Sequence, residues 1–134
     1  MRRNKNNKYI NNYMDNQNIF QVKYFEGIEK LLNTTQKKFT IIGITDENTE
    51  INTRYFIKKW LKSQSNIYKN ITYIYFNIDS DESKDKILKL FNFTEEEFPI
   101  IFHIFDIVNI AVKISNATQE NIIEANNVMK EHYD

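Results

Sequence analysis

The spacing of apolar residues changes several times along this chain, and each change marks an element. Ile19, Phe20, Val22 and Tyr24 suggest a short strand. From Phe25 to Leu32 the apolar positions Phe25, Ile28, Leu31 and Leu32 recur at spacings of three and four, which is one face of a helix. Asn33-Thr34-Thr35 closes it. FTIIGIT, residues 39–45, is short, apolar and β-branched, as a buried strand is. Residues 46–52 are polar and read as a loop. Tyr55, Phe56, Trp60 and Leu61 then mark a helix running to about Tyr68, and ITYIYFNI, residues 71–78, is the next strand. Asp79-Ser80-Asp81 has the chemistry of a polar turn and helix N-cap. Ile87, Leu88, Leu90 and Phe91 give the face of a helix that ends near Asn92. Pro99 opens a strand over 100–105, Asp106 turns the chain, and Ile107 to Ile114 forms another strand. Thr118 caps a last helix with Ile122, Ile123, Ala125 and Val128 on its apolar side, and Met129 near its end.

The predicted order is therefore β-α-β-α-β-α-β-β-α. Helical crossovers in the first part favour parallel strands with helices on both faces, and the short link near the end favours an antiparallel hairpin. This is an α/β domain with a central mixed sheet. Residues 1–17, mostly polar, read as a disordered leader, and 18–134 as one domain.

Composition narrows the function classes. Basic and acidic side chains balance at 18 each, so bulk charge gives no reason to expect a nucleic-acid or anionic-membrane partner. No apolar stretch reaches the roughly 18 residues of a membrane helix, and the start lacks the apolar region of a signal peptide. The chain has no cysteine, which excludes disulfides, thiolate nucleophiles and cysteine zinc sites. Its two histidines, His103 and His132, are too few for a histidine metal site. Neither a metal nor a cofactor is expected. Abundant Asn, Ile and Lys fit an AT-rich coding sequence. Sequons at Asn33, Asn70, Asn92 and Asn116 therefore carry little weight.

The candidate chemistry is sparse. Asp79, Asp81, Glu82 and Asp85 lack the Gly and the terminal Glu of a calcium loop, so a turn and a helix N-terminus explain them better. Glu95, Glu96 and Glu97 read as a solvated loop, since nothing near them in the sequence would raise a carboxyl pKa. His103 lies in an alternating strand opposite Phe102 and Ile104, without any nucleophile motif, and reads as a partly exposed strand histidine. Trp60, at helical spacing, reads as core. Phe98-Pro99 is the most informative dipeptide. Pro99 is the only proline; a residue that cannot donate to a ladder belongs at a strand's first position, and the bond before it is expected to be cis.

With that proline before the hairpin, the element order resembles the thioredoxin fold from about Ile19 to His132. The segment Tyr73 to Phe105, YIYFNIDSDESKDKILKLFNFTEEEFPIIFHIF, is similar to a non-catalytic b-type domain of protein disulfide isomerase, b′ above all. The shared features are an aromatic-rich strand, the N-I-D-S-D turn, an I-L-x-x-F helix, a T-E-E-E spacer, and then Phe-Pro before an apolar strand. Redox-active members of this fold carry C-x-x-C after the second strand. An ungapped reading places Thr49 and Asn52 there, and neither forms a thiolate. Their buried acid falls near Gly43. The resemblance thus implies a protein that is not an enzyme and has no thiol-disulfide exchange. It would bind unfolded polypeptide or a chaperone partner in the endoplasmic reticulum lumen, through an apolar cleft of Tyr24, Phe25, Ile28, Leu32, Phe91, Phe93 and Ile101 beside a structural cis-proline, Pro99. At least half of those residues are expected to be core. The alternative is a structural subunit of a larger assembly that binds no client. A thioredoxin-like enzyme of another chemistry has the least support.

Overall fold

The computed structural model describes residues 10–12, 17–34, 38–79, 84–105 and 110–129. Its elements are β1 (Ile10–Asn12), β2 (Ile19–Val22), α1 (Phe25–Leu32), β3 (Lys38–Ile44), α2 (Ile51–Ile67), β4 (Thr72–Asn77), α3 (Lys84–Phe91), a 3₁₀ turn (Glu95–Glu97), β5 (Ile100–Phe105), β6 (Ile110–Ile114) and α4 (Gln119–Met129). The strands form one six-stranded sheet in the order β1-β2-β4-β3-β5-β6. β2, β4 and β3 run parallel, while β1, β5 and β6 each run antiparallel to their neighbours.

Each long element falls where the periodicity places it, with two differences. β1 lies inside the segment read as a leader, and pairs Ile10 with Val22. An Ile that follows one tyrosine and precedes two asparagines has no period of its own, so the waiting edge of β2 makes it a strand. Residues 1–9 and 13–16 lie outside the described part, as do 80–83, with the predicted N-cap, and 106–109, with the predicted Asp106 turn. α2 begins at Ile51, a turn before Tyr55, where the apolar positions start, and both of these residues point to solvent.

Two apolar layers sandwich the sheet. Along each strand alternate residues face opposite sides. Ile42, Ile44, Tyr73, Tyr75 and Ile101 pack with Ile57, Trp60 and Leu61 of α2 and Ile122 of α4. Ile41, Ile74, Phe76 and Ile100 pack with Ile28 and Leu31 of α1 and Ile87 and Phe91 of α3. The ends of the helices are chosen to match. After α3, Asn92 adopts a positive φ of 58°. The Phe93 amide then reaches the Leu88 carbonyl, and the Asn92 amide the Lys89 carbonyl. This is a Schellman cap, and it turns Phe93 back into the core. At α4, Thr118 Oγ1 accepts from the Asn121 amide and Asn121 Oδ1 from the Thr118 amide, as its predicted cap requires.

Gly43 lies on the α1/α3 side of β3 and packs beneath two rings. A Cβ there would sit 2.6 Å from Phe76 Cζ and 2.7 Å from Phe98 Cε2. Both rings are buried and held edge-on to each other, with centroids 6.2 Å apart. Neither has space to retreat.

His103 corrects an expectation. It faces the α2/α4 layer, opposite Phe102 and Ile104 as predicted, but it is only 1% exposed. Its Nδ1 lies 2.9 Å from Thr40 Oγ1 on the paired strand. The alternation fixed the side on which it lies but not the helix covering that side. Burial pushes its pKa from 6.5 down to about 4.

Two outcomes follow for stability. Gly43→Ala overpacks the site and lowers the unfolding free energy by about 1–3 kcal/mol, read from the urea midpoint. Between pH 6.5 and about 4 the unfolded chain takes up a proton at His103 that the folded chain refuses, so stability falls as pH drops through that window. The loss amounts to about 2–3 kcal/mol. Urea melts at pH 7 and pH 4.5 measure it, and a Thr40→Val, His103→Leu double substitution, which removes both polar partners, flattens the slope.

Candidate functional site

The carboxyl end of β3, the amino end of α2 and the segment entering β5 meet at one end of the sheet. The 45–50 loop that joins β3 to α2 is held by polar groups, its own and those of Arg54, Asn77 and Asp79. The Thr45 amide donates to Thr49 Oγ1 at 3.2 Å, and the Asn48 amide to Thr45 Oγ1 at 2.9 Å. Arg54, one turn into α2, reaches back over the loop. Its Nη2 donates to the carbonyls of Thr45, Asp46 and Thr49 at 3.3–3.5 Å, and its Nη1 meets Asp46 Oδ1 at 3.2 Å.

Asp46 is the second anchor of the loop. Asn77 Nδ2 donates to its carboxylate at 2.9 Å, and its own amide donates to Asp79 Oδ2 at 2.6 Å. The hydrogen bond from Asn77, helped by Asp79 and by the Arg54 charge, holds the Asp46 carboxyl below its usual pKa. Asp79, beside it, is pushed up by desolvation and by its acidic neighbour. Asp79 therefore fastens β4 to the loop after β3.

The opposite wall is the segment around Phe98-Pro99, whose peptide bond is cis, as expected. The three glutamates before it form a 3₁₀ turn rather than an open loop. Glu95 pairs with Lys84, and its carbonyl accepts from Asn48 Nδ2. Glu97 Oε1 accepts from the Thr94 amide at 2.8 Å and Oε2 from Ser115 Oγ at 2.8 Å. The Thr94 amide first, then Ser115, lower the Glu97 pKa below 4.5. The Asn116 amide donates to the Glu97 carbonyl at 2.6 Å and the Ala117 amide to the Pro99 carbonyl at 2.8 Å. Asn116, with a φ of 51°, makes the turn that allows both bonds.

Between these walls lies a cleft of about 370 Å³, lined by Asn48, Glu50, Thr53, Glu96, Phe98, Pro99, Asn116, Ala117 and Thr118. The lining includes neither a thiol nor an imidazole. Thr49, read at a cysteine position, is buried and commits its hydroxyl to the Thr45 amide, while Asn52 is exposed in the first turn of α2. No sequence motif pointed to Glu50 or Glu96.

The residues of the expected apolar cleft divide. Ile28, Phe91 and Phe93 are buried in the α1/α3 layer. Ile101 is wholly buried on the other side of the sheet, because in β5 it points away from Ile100 and Phe102. It therefore does not join the rest. Tyr24, Phe25 and Leu32 are half-buried along α1. Leu88, Phe102 and Ile104 are partly exposed beside the same layer, and Leu90 is 42% exposed. Lysines cover some of these rings. Lys86 Nζ lies 5.9 Å from the Phe25 centroid, and Lys113 Nζ lies 5.4 Å from that of Phe102 and 5.5 Å from that of Phe93.

The chain matches no protein-family model and no curated protein. Solved structures are similar to it. Thioredoxin O1 from Arabidopsis thaliana superposes with a TM-score of 0.69 at 16% identity, over 88% of this chain and 100% of that one. Thioredoxin O2 from the same plant gives 0.68 at 12%, over 87% and 96%. The first thioredoxin domain of mouse protein disulfide-isomerase A4 gives 0.57 at 11%, over 90% and 79%. At such identities the likeness is one of fold, and the fold is thioredoxin-like.

Glu97 provides a direct check on this geometry. Its carboxyl titrates below 4.5 by carbon NMR, and Ser115→Ala moves it upward. The stabilisation it gives is present above the unfolded value and is lost as pH falls through the folded one.

Proposed function

We propose that this chain is a thiol-free thioredoxin-like module of the protein disulfide isomerase b/b′ type. It binds unfolded or partly folded polypeptide, or a chaperone partner, along the seam between α1 and α3. The observation that carries this reading is the set of partly exposed apolar side chains around the α1/α3 layer: Tyr24, Phe25 and Leu32 at α1, Leu88 and Leu90 of α3, and Phe102 of β5. Ile28, Phe91 and Phe93 are buried within that layer.

Chemistry argues for binding rather than exchange. Disulfide exchange starts with a thiolate attacking sulfur, and the chain has no cysteine. An apolar strip gains about 25 cal/mol for each Å² it removes from water, with little regard for sequence. Most of that gain offsets the loss of freedom on association, so the affinity for one short peptide falls roughly between 10 µM and 1 mM. Such weak and unselective binding suits clients that must be released. The same reading puts the protein's place of work in the endoplasmic reticulum lumen.

A structural subunit is the second reading. Ile51, Tyr55 and Ile67 of α2 are 60–66% exposed, and Ile123 and Val128 of α4 are 50% and 67% exposed. Side chains of this kind on the α2/α4 layer suit a permanent partner.

Two measurements test the proposal, and the second separates the two readings. In an insulin-reduction assay with dithiothreitol, the protein leaves the rate at the uncatalysed level. A reduced and alkylated polypeptide, titrated into nitrogen-labelled protein, shifts amides of 24–32 and 84–93 in a saturable way, and Phe25→Ser weakens that binding several-fold. Saturating polypeptide with no shift in either segment refutes client binding and leaves the structural reading.

A further inference from the structure

We propose that the carboxyl end of α3 carries a binding site for an alkylammonium group, and that Lys113 of the edge strand β6 plugs this site in the resting chain. The ligand is a lysine side chain on a bound polypeptide. That source of the ligand rests on the reading of the α1/α3 seam; the chemistry of the site rests on its own geometry.

The walls come from three elements. Phe93 follows α3, Phe102 lies in β5, and their rings stand nearly perpendicular, at 83° with centroids 6.3 Å apart. Lys113 pairs with Phe102 across β5 and β6. Its Nζ lies 5.4 Å from the Phe102 centroid and 5.5 Å from that of Phe93, within reach of the attraction between a cation and a ring face. The third wall is an acceptor. The last carbonyls of a helix have no partner inside it. The turn at Asn92 satisfies those of Leu88 and Lys89, and the Phe91 carbonyl accepts from Lys113 Nζ at 3.2 Å. Two crossed rings and a carbonyl at the negative end of a helix dipole make a place for a cation.

A surface lysine that merely caps a helix is the simpler account. A capping bond asks for one donor near one carbonyl. It does not account for two rings at nearly equal distances from the same ammonium. Lys86 supplies the contrast, since it lies over one ring, Phe25, at 5.9 Å. The rings also stand without the lysine. Phe93 is 6% exposed and packs edge-on to Phe98, and Phe102 packs edge-on to Phe91. The core, not Lys113, fixes their angle.

The plug is loosely held. Among the described residues no carboxylate pairs with Lys113. Glu97, on which its charge acts only slightly, already accepts from Thr94 and Ser115. Lys113 is itself exposed. In water, contacts of this kind favour the plugged form over the released one by roughly three- to thirtyfold, and they weaken a ligand by about the same factor. A free amine gains nothing else to offset that factor. A lysine on a polypeptide already seated along the seam arrives at high effective concentration, takes the place between the rings, and sends the Lys113 ammonium into water.

The test uses the full chain, labelled with nitrogen and carbon isotopes, at constant ionic strength. In the native chain the Lys113 ε-methylene protons lie upfield of free lysine, shifted by the two rings. Tetramethylammonium shifts the amides of 91–93 and 102 in a Lys113→Ala variant saturably and binds it at least threefold more tightly than the native chain. Tert-butanol, similar in shape but uncharged, leaves those amides in place. If Lys113→Ala lowers the melting temperature, Lys113→Gln takes its place. A blocked decapeptide of Ala, Ser and Leu with one Lys then moves the Lys113 ε-protons of the native chain toward the free value, and the same peptide with Gln for Lys does not. Lys113 ε-protons at the free value without ligand, equal binding of tetramethylammonium to native chain and variants, or equal displacement by both peptides would overturn the site. Displacement by tetramethylammonium but not by the lysine peptide would overturn the side chain as occupant. The Gln peptide still shifts amides of 24–32 if the seam binds polypeptide, so the two readings fail separately.

Discussion

Phe98 can occupy its place only because residue 43 has no side chain. The ring lies over Gly43 against Phe76 and meets Phe93 edge-on at 6.2 Å. With Phe98 fixed, Pro99 starts β5 at one position, and the Pro99 carbonyl takes the Ala117 amide. The floor of the cleft is therefore an extension of the α1/α3 layer. In redox members of the fold, as the resemblance has it, a buried acid falls near residue 43. Here even a methyl group has no space, so a carboxyl is excluded by sterics as well as by its desolvation cost. Two phenyl rings, Phe76 and Phe98, fill the space beside residue 43.

The other wall of the cleft is assembled by the opposite means. The 45–50 loop buries little apolar surface and depends on a set of hydrogen bonds shared among Thr45, Asp46, Thr49, Arg54, Asn77 and Asp79. Such a set is worth most when every member is present, since removing one leaves its partners unsatisfied. One wall is rigid because it is packed, the other because it is wired together. Asn48 joins them through the Glu95 carbonyl.

Much of the architecture was legible because period and breaker residues agree. The α1 face, the β3, β4 and β5 runs, and the lone proline with its cis bond are local signals, and the structure follows them. The failures share a cause: they depend on what lies across from a residue. β1 exists because β2 has an open edge, and Ile10 followed by two asparagines cannot announce that. His103 is buried because helices cover its side of β5. Ile101 and Phe102 are both apolar and adjacent, yet the pleat sends them to opposite layers, so the cleft that the resemblance implied took in Ile101, which lies on the other side of the sheet from the rest. Glu50 and Glu96 looked like ordinary surface acids. Only the fold sets them on facing walls and shows that Glu95 and Glu97 are already engaged.

Such a fold stands without thiols. Its free energy comes from two apolar layers, each built from strands β2 to β5 and a pair of helices, and no residue of a redox centre contributes to either. The end of the sheet is consequently free to change its chemistry while the sheet stays as it is. What the fold does keep there is geometry: a helix start, a strand start and a loop that converge on one cleft. The same convergence that can aim two sulfurs at a substrate can present carboxylates instead, and fold likeness alone does not say which. The side chains at the cleft do, and in this chain they are two carboxylates, Glu50 and Glu96, with the neutral amides and hydroxyls of Asn48, Thr53, Asn116 and Thr118, beside Phe98, Pro99 and Ala117.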